Sequence, residues 1–452
     1  MGSCLEIRNK RVTLKSLRSW IDINHGINRN LRSAESNALS KHISNGHATI
    51  LHICICPCGV PGGDEVNDFV YSLDMKVLFE SIGVLVHYNF SLPYYLTKTS
   101  EINSIALLTG LFPISMGGYY YIGRAWKKLE VYLDRTGVGF IDELNYVKPI
   151  RETLIRRITA KQRYDVIHLN SKEDLSQLSG VKIPKLFVLH GSPDYAEKQI
   201  CKMLGDIYSK VDAFVAVSRH AAYMLREKCG FEPTHVIHHG VDVELFNPLS
   251  YAKDHARAML GLPQDKRVIL WNARLSPEKR LETLIYALPK VVKEVKDVVA
   301  MVKTRAVVKD YEAKIRSIVR KLSLGAYVIF VKGWTPLVKM PMYYRASDLY
   351  INTSVTEAFG SLTMLEAMAC GTPTIANNAS SNPEALGDGG LLYDKDDSSD
   401  LAEKILKILT DERLSMLLSY KASRRVLEEL TLQKVSEKYV KLYNSLVHEG
   451  IS

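Results

Sequence analysis

The chain has 452 residues, of which 46% are hydrophobic and 24% are charged. These values exclude a chain too short or too polar to bury a core, and the length favours two or three domains. The formal net charge of +10 indicates an anionic partner, and a nucleotide diphosphate, a lipid phosphate and a nucleic acid all qualify.

A basic segment rich in Ser and Asn begins the chain. Through Ser44 it contains eight Lys or Arg and three Asp or Glu, and it has no apolar stretch of the kind found in secretory signals. We expect residues 1–45 to form a poorly packed extension.

The first predicted strand, Thr49–Ile55, ends among closely spaced cysteines. Cys54, Cys56 and Cys58 alternate there, with His52 on the same face. No second Cys or His cluster completes a tetrahedral set, so we predict small buried side chains and no metal site. The chain has seven cysteines in all, and this odd count predicts reduced thiols and a cytoplasmic protein.

Gly62 and Gly63 follow that strand and open a predicted helix over Val66–Leu78. Glycines at such a position let the backbone approach a donor phosphate or an acceptor closely. Both are therefore predicted donor-binding residues, although an ordinary turn has the same sequence.

The stretch Ile102–Gly123 has no charged residue and is followed by Arg124, Lys127 and Lys128. Pro113 and the glycines argue against a membrane-spanning helix. A tyrosine-rich apolar segment bordered by basic residues suits peripheral contact with an anionic membrane, at its inner face. A place in the core of the first domain suits the segment equally well.

Short apolar runs rich in β-branched residues alternate with helical patterns through the rest of the chain. Such runs are typical of buried parallel strands, and the alternation predicts an α/β fold with doubly wound sheets. A proline and polar residues at Phe246–Ser250 mark the crossing from a first domain, residues 46–247, to a second, residues 248–430. The clearest runs are Leu186–Leu189, Ala213–Val217, Val268–Ala273, Val328–Val331, Asp348–Asn352 and Thr374–Ala376, and helical patterns cover Asp310–Leu322 and Leu401–Leu409.

A basic turn follows one of these strands. Arg274 and Lys279 lie between the strand and a helix whose apolar residues begin at Leu281. A guanidinium fork and an ammonium at that place suit a diphosphate, whose negative charge grows as its bond to a sugar breaks. Considered alone, the turn is equally typical of a solvated loop.

Two glutamates follow a later strand. Glu357 precedes a glycine turn, and Glu366 lies in the short apolar helix after it. Ligands of parallel sheets lie beyond the carboxyl ends of the strands. Backbone N–H groups near Gly360 and Ser361, with the helix start at Leu362, are therefore predicted to face an anion, and the glutamates to accept hydrogen bonds from sugar hydroxyls. An ordinary βαβ unit with two surface glutamates is the alternative.

These two blocks together resemble the donor-site signature of the retaining glycosyltransferases of family 4, which have the GT-B fold. The resemblance covers roughly residues 46–449. Further segments similar to that family occur in the same order, at Asp165–His168, Phe187–Gly191, Val215–Ser218, Ile237–Asp242 and Phe246–Pro248.

The resemblance implies two Rossmann-like domains that face each other across a cleft, with residues 431–452 forming a helix that returns toward the first domain. It implies a nucleotide-diphosphate sugar, linked to UDP or GDP, with Arg274 and Lys279 on the phosphates and Glu366 on the ribose. It also implies transfer of a hexosyl group with retention of anomeric configuration. No metal ion and no other cofactor is expected, and the Asp394–Asp397 segment is predicted to be a solvated loop.

Three further roles follow from the same resemblance. Glu357 would lie against the donor sugar, and His190 would reach into the cleft from the first domain, so these two are the predicted catalytic residues. Trp334 would line the pocket of the nucleobase. A strand-end histidine and a tryptophan beside a turn are also common as purely structural residues.

The sequence departs from the family pattern at several positions. The interval between the two glutamates, 366 − 357 = 9, is one residue longer than usual, and we place the extra residue at Ser361 in the loop. Arg280 stands where the family usually has glycine, and His239 replaces a common asparagine.

Three alternatives remain at this point: a catalytically inactive GT-B scaffold or regulatory protein, another GT-B enzyme such as a phosphorylase or epimerase, and a basic nucleic-acid-binding protein. The intact set of site residues disfavours the first, and no nucleic acid is expected. The acceptor is not identified, and a lipid-linked sugar, a glycan, a protein and a small metabolite all stay open.

Overall fold

The computed structural model describes residues 75–81, 88–96, 98, 102–110, 129–134, 164–170, 175–178 and 180–449. Across these ranges the chain forms two sheets in which every described pairing is parallel. The predicted α/β fold with two doubly wound domains is confirmed.

The first sheet contains seven strands. They are β1 (Met75–Ser81), β2 (Ile102–Gly110), β3 (Leu129–Asp134), β4 (Val166–Leu169), β5 (Lys185–Leu189), β6 (Ala213–Ala216) and β7 (His235–Val236). Their order in the sheet is β3-β2-β1-β4-β5-β6-β7, so the direction of winding reverses between β1 and β4.

The second sheet contains six strands and repeats the same winding. They are β8 (Arg267–Asn272), β9 (Val298–Thr304), β10 (Val328–Lys332), β11 (Leu349–Asn352), β12 (Thr374–Asn377) and β13 (Gly390–Tyr393). Their order is β10-β9-β8-β11-β12-β13, with the reversal between β8 and β11. In open parallel sheets, ligands bind outside the carboxyl ends of the strands at this switch point.

Twelve α-helices connect and flank the described strands. They are α1 (Tyr88–Leu96), α2 (Lys198–Tyr208), α3 (Arg219–Met224), α4 (Lys253–Leu260), α5 (Leu281–Glu294), α6 (Lys309–Lys321), α7 (Met340–Ala346), α8 (Leu362–Ala369), α9 (Asn382–Leu386), α10 (Ser398–Thr410), α11 (Glu412–Glu429) and α12 (Leu432–Glu449). Helix α12 packs against helix α1 and against strand β4 of the first sheet.

The apolar runs form strands because both faces of each sheet are covered. In β8, Val268 and Leu270 are buried in one core, whereas Ile269 and Trp271 are buried in another. Every residue of β9 is buried as well. A strand with cores on both sides has no polar face, so it appears in the sequence as a continuous apolar run. The predicted strands of residues 180–449 are confirmed to within one residue at most ends.

The predicted helix Val66–Leu78 is wrong over its last residues, because Met75–Ser81 forms strand β1. A short apolar run fits either a helix or a strand, and the pairing of β1 with both β2 and β4 stabilises the strand. Ile102–Gly110 forms strand β2, paired on both sides within the sheet, as the core alternative for this segment requires. Residues 111–123 lie outside the described residues, as do the 1–45 extension, Cys54, Cys56 and Cys58, and Gly62 and Gly63.

The expectation of reduced thiols is wrong for one pair. Cys201 in α2 and Cys229, in the turn after α3, form a disulfide across a Cα separation of 4.8 Å. Helix packing brings the two residues together, which a count of cysteines does not reveal. Cys370 is a buried free thiol. In the described part of the chain, we find no helix both long and apolar enough to cross a bilayer.

Candidate active site

The loops that follow β8 and β11 meet at the switch point of the second sheet. Lys279 ends a short 3-10 turn at Pro277–Lys279, and its Nζ lies 2.7 Å from Glu357 Oε1. The exposed fractions of the two side chains are 15% and 12%, so the pair is largely shielded from water. The Thr353 hydroxyl donates to the Lys279 carbonyl oxygen over 2.5 Å and fixes one loop against the other. The structure thus brings together the predicted cation and the predicted carboxylate.

Arg274 lies at the exposed edge of this site. Its Nη2 contacts Glu278 Oε1 at 3.0 Å, and 49% of its side chain is accessible to solvent. The predicted cationic pair therefore consists of two unequal groups. Lys279 is held in the interior of the site, whereas Arg274 is half-exposed and paired with Glu278.

A third cation, Arg305, was not predicted from the sequence. The backbone beyond β9 continues to pair with the loop beyond β8, because Leu275 N–H donates to the Ala306 carbonyl over 2.8 Å and Val308 N–H donates to the Leu275 carbonyl over 2.9 Å. Arg305 lies between these bonds, where partial burial of its guanidinium and repulsion by Arg274 lower its pKa and attraction by Glu366 opposes them. A cation directly after a buried strand was the available signal, but no turn motif marked it.

Glu366 is buried in α8 and is the last member of a chain of side-chain hydrogen bonds. The Tyr344 hydroxyl donates to Glu366 Oε2 over 2.5 Å, and Asn272 Nδ2 donates to the Tyr344 hydroxyl over 3.0 Å. Burial raises the pKa of Glu366 to about 7, against the opposing effects of the Tyr344 hydrogen bond and of Arg305. At neutral pH this carboxyl group is therefore present in both protonation states.

The start of α8 differs from the prediction in one respect. Ser361 lies outside the helix as its N-cap, and its Oγ accepts the Met364 N–H over 3.1 Å, whereas the placement of the additional residue at Ser361 stays a prediction. The Gly360 N–H, however, donates to Ser381 Oγ over 2.9 Å and does not face an anion. Gly360 has φ +51°, and an added Cβ would lie 2.5 Å from the Met364 Cε atom, so this position requires glycine. The N–H groups at Leu362 and Thr363 begin the helix.

Trp334 is half-buried in the loop after β10. The loop is fastened to the end of β9, since Lys303 Nζ donates to the Gly333 carbonyl over 2.5 Å and Gly333 N–H donates to the Thr304 carbonyl over 2.9 Å. Burial lowers the pKa of Lys303 to about 8. This arrangement brings the Trp334 loop to the same edge of the sheet as Arg305, and its predicted contact with a nucleobase stays a prediction.

His190 lies at the end of β5, but both of its ring nitrogens are hydrogen-bonded within the first domain. Nε2 lies 2.7 Å from Asn170 Oδ1, and Nδ1 lies 3.0 Å from His239 Nε2. Asn170 Oδ1 also contacts His168 Nε2 at 3.2 Å. Burial lowers the pKa of His190 to about 4, so the ring is neutral at physiological pH. A hydrogen bond from His190 to a substrate requires the exchange of one of these bonds.

Two carboxylates bridge the cleft, and neither was predicted. Glu384 of the second domain accepts the N–H groups of Arg219 and His220 at 2.9 and 3.0 Å and contacts His238 Nε2 at 2.8 Å. Asp194 of the first domain accepts the hydroxyl hydrogen of Ser380 over 2.5 Å. Although burial raises their pKa values, hydrogen bonds hold the pKa of each carboxylate at about 2, so both are ionised at neutral pH.

The turn that carries Lys279 contains a strained residue. Arg280, which stands at the usual glycine position, has φ +50°, and its Nη2 contacts Asp396 Oδ1 at 2.7 Å with both side chains 38% exposed. The left-handed backbone costs about 1 kcal/mol for a residue with a Cβ, and an exposed ion pair contributes a similar amount or less.

We expect the free energy of unfolding of Arg280→Gly to lie within about 1 kcal/mol of the wild-type value, because relief of strain offsets loss of the ion pair. Arg280→Ala keeps the strain and loses the ion pair, so it should be about 1 kcal/mol less stable than Arg280→Gly. Urea denaturation of the three proteins measures the difference. Equal stability of the alanine and glycine variants would contradict a strained turn.

Two family models match the chain. The description "Glycosyltransferase Family 4" matches residues 124–245, and "Glycosyl transferases group 1" matches residues 252–425. The D-inositol 3-phosphate glycosyltransferase of Mycolicibacterium smegmatis is 32% identical over 46% of this chain and 45% of its own length, so the chain spans less than half of that relative. The lipopolysaccharide core biosynthesis mannosyltransferase LpcC of Rhizobium leguminosarum is 28% identical over 72% of this chain and 91% of its own length.

Solved structures share the fold. The structure of Anabaena HepE in complex with UDP-glucose has a TM-score of 0.65 and 20% identity, over 82% of this chain and 100% of that one. At this identity the likeness shows the arrangement of two parallel-sheet domains and does not by itself identify a substrate.

Proposed function

Because this chain belongs to the glycosyltransferases of the family 4 type, we propose that it moves a hexosyl group from a nucleotide-diphosphate sugar to an acceptor hydroxyl, with retention of anomeric configuration and without a metal ion. The contact of 2.7 Å between Lys279 Nζ and Glu357 Oε1 carries this proposal. It puts a cation for the diphosphate next to a carboxylate for the sugar, at the switch point where parallel sheets bind ligands. HepE, solved with UDP-glucose, and LpcC, named a mannosyltransferase, support a nucleotide-linked hexose.

The cations supply the stabilisation that the reaction needs. As the bond from the anomeric carbon to the diphosphate breaks, negative charge accumulates on the phosphate oxygens. An ammonium has three N–H donors. Lys279 donates one of them to Glu357 and a second, over 3.4 Å, to Ser354. The third is left for a phosphate oxygen. Arg274 and Arg305 add mobile positive charge at the exposed edge, where the diphosphate enters.

The carboxyl groups hold the sugar and the ribose. Glu357 is fixed by Lys279, so its second oxygen can accept a hydroxyl of the transferred hexose. Glu366 lies in helix α8, which follows the loop of Glu357, and its carboxylate form can accept the ribose hydroxyls. His190, at the end of β5 in the opposite domain, is neutral at physiological pH and so adds no positive charge to that side of the site.

A thermal-shift panel of UDP-glucose, other UDP-hexoses and GDP-mannose, each compared with its free nucleotide, tests the donor class. A ligand at about 100 times its Kd stabilises the native state by about 2.7 kcal/mol. We expect one nucleotide sugar to raise the unfolding temperature and, with water in place of the unidentified acceptor, to be hydrolysed slowly to nucleotide and free hexose, whose first-formed anomer in a proton NMR spectrum is the retained one. Transfer should continue in the presence of a chelator.

The outcomes separate the parts of the proposal. Inversion at the anomeric carbon would refute retention, and loss of transfer with a chelator would refute metal independence. If no nucleotide sugar stabilises the protein and none is consumed, the chain is an inactive relative of these enzymes, and the scaffold alternative replaces the proposal.

A further inference from the structure

Asp194 and the loop of Glu357 are connected by a chain of hydrogen bonds that crosses from one domain to the other. Ser380 lies between them. Its hydroxyl contacts Asp194 Oδ2 at 2.5 Å, and its oxygen lies 3.2 Å from the Glu357 backbone nitrogen. The loop that carries a predicted catalytic carboxylate is thus fastened, through one hydroxyl, to a carboxylate of the opposite domain.

The donors and acceptors of this chain fit one consistent direction. A hydroxyl has one hydrogen to give. The Ser380 Oγ also lies 2.8 Å from the Glu357 carbonyl oxygen, but the ionised Asp194 can only accept, so the hydroxyl hydrogen goes to Asp194 at 2.5 Å and the Ser380 oxygen accepts the Glu357 N–H. The Glu357 carbonyl then receives the hydroxyl hydrogen of Ser381 over 2.7 Å, and Ser381 Oγ accepts the Gly360 N–H over 2.9 Å. Both backbone polar groups of Glu357 are therefore satisfied by side chains of a single loop, whose outermost member is held by Asp194.

Ser380 is also a strained position. Its φ of +52° lies in the left-handed region, which a residue with a side chain seldom adopts. Strain of this kind persists where surrounding contacts over-determine the conformation. Ser380 is held by Asp194, by Ser192 Oγ at 3.4 Å and by the Glu357 backbone, so the strain is maintained in part by contacts that cross the cleft.

Asp194 itself is held in place by the first domain. It lies in the 3-10 turn Pro193–Tyr195, and its Oδ1 accepts a hydrogen bond from His220 Nε2. Thr356, next to Glu357, contacts its Oδ2 at 3.4 Å. The carboxylate is thus anchored on one side of the cleft and directed at two residues of the other side.

We infer that Asp194 is a positioning residue for the transfer reaction, because through Ser380 it sets the backbone of Glu357 only while the two domains are closed on each other. This inference rests on the proposed glycosyl transfer. When the cleft is open, Asp194 no longer contacts Ser380, and the Glu357 loop loses the hydrogen bond that supports it from the first domain. Closure and assembly of the donor-sugar site then become one event, which suppresses wasteful hydrolysis of the donor before the acceptor is enclosed.

Asp194→Asn, Ser380→Gly and the double variant test the inference in the full chain. Asparagine keeps the size of the side chain and removes its charge, and glycine suits the left-handed backbone, so Ser380→Gly should fold normally. We expect each single variant to lower kcat about 10- to 100-fold with saturating donor, the effect of losing a charge-assisted hydrogen bond, while KM for the donor changes less than about 3-fold. The double variant should be no worse than the poorer single variant, since both act through one chain of bonds.

Glu384→Gln is the matched control, because Glu384 bridges the same cleft and makes no hydrogen bond to the Glu357 loop. If Asp194 served only to close the cleft, Glu384→Gln would lower kcat as much as Asp194→Asn does. That result, or additive effects of Asp194→Asn and Ser380→Gly, would overturn the inference.

Amide hydrogen exchange gives a second measurement that does not depend on turnover. The peptide over residues 354–361 should exchange at least about 10-fold faster in Asp194→Asn and in Ser380→Gly than in wild type or in Glu384→Gln. Unchanged exchange in the first two variants would also overturn the inference. A wild-type protein that consumes no nucleotide sugar would refute the proposed function, and the exchange measurement would still decide whether Asp194 holds the loop.

Discussion

Replacement of Lys279 by alanine is expected to lower kcat by about 100- to 1000-fold, because it removes the shielded donor that faces the departing diphosphate. The same change leaves Glu357 without its cation in a site where only 12% of the carboxylate side chain is exposed. An unpaired and largely buried carboxylate also costs folding free energy, about 1–3 kcal/mol. Steady-state kinetics and urea denaturation measure the two effects separately.

Arg274→Ala should have a smaller effect than Lys279→Ala. Arg274 is 49% exposed, and Arg305 provides a second guanidinium at the same edge. We expect it to raise KM for the donor about 10-fold, with little change in the free energy of unfolding. Equal losses of kcat in the two variants would contradict the unequal placement of these cations.

Lys290→Ala is the control for removal of an ion-paired lysine in this domain. Lys290 Nζ contacts Glu403 Oε1 at 2.8 Å, with the two side chains 45% and 62% exposed, and Lys290 lies more than two turns beyond the start of α5. We expect full activity and a stability within about 0.5 kcal/mol of the wild type.

The double variant Lys279→Met, Glu357→Gln should recover part of the lost stability and none of the activity, since it removes the unpaired charge but not the need for a cation.

The meeting of Lys279 with Glu357 could be predicted from the sequence because it depends on topology alone. Each residue follows a buried parallel strand, and the strands β8 and β11 are neighbours at the reversal of winding. The apolar runs located those strands, since a strand covered on both faces carries a continuous signal. The residue types at the two loops, taken together with the family resemblance, led to the prediction of a diphosphate and sugar site.

The contacts across the cleft could not be predicted in the same way. Asp194 and Ser380 are separated by 186 positions and by a domain boundary, and their meeting depends on how the two sheets face each other. The hydrogen-bond partners of His190 could not be predicted for a related reason. Its ring is held by Asn170 and His239, and neither partner lies close to it in the sequence. The same holds for the disulfide between Cys201 and Cys229, which joins two helical segments through their packing.

The burial of Glu366 also required the structure. Its position in a short apolar helix predicted a carboxyl group beside the ribose, but not that Tyr344 and the β8 residue Asn272 would enclose it. That enclosure changes the expected behaviour of the site with pH, since a carboxyl group shielded from water retains its proton to higher pH than an exposed one.

Glu366→Gln is therefore expected to stabilise the ligand-free protein at pH 8 while it weakens donor binding. The pKa of Glu366 in the folded protein, about 7, lies above its ordinary value of 4.5. Between these two values the folded state binds a proton that the unfolded chain has released, so wild-type stability falls as pH rises and reaches its lower level above pH 7. Glutamine does not titrate, and it keeps an oxygen to accept the Tyr344 hydroxyl. Near pH 5 it should match the wild type, and at pH 8 it should be about 2–3 kcal/mol more stable.

Glu366→Gln is expected to weaken nucleotide binding at pH 8, although it stabilises the ligand-free protein at that pH. A carboxylate accepts ribose hydroxyls more strongly than an amide does, so UDP should bind Glu366→Gln about 10-fold more weakly at pH 8. Wild-type affinity for UDP should increase as pH rises through 7, and the affinity of the variant should not. Isothermal titration calorimetry at pH 6 and pH 8 measures both.

Glu282→Gln provides the control with the opposite sign. Glu282 is also buried and accepts a tyrosine hydroxyl, that of Tyr311, but Lys314 lies 3.0 Å from its other oxygen. Burial raises its pKa, yet the hydrogen bonds from Tyr311 and Lys314 together leave it below the ordinary value, so the ionised form contributes stability that is present at neutral pH and lost as pH falls. Glu282→Gln should thus destabilise the protein at pH 8, where Glu366→Gln stabilises it. If both variants shift stability in the same direction at pH 8, the burial of Glu366 does not control its titration, and the pH dependence of donor binding needs another source.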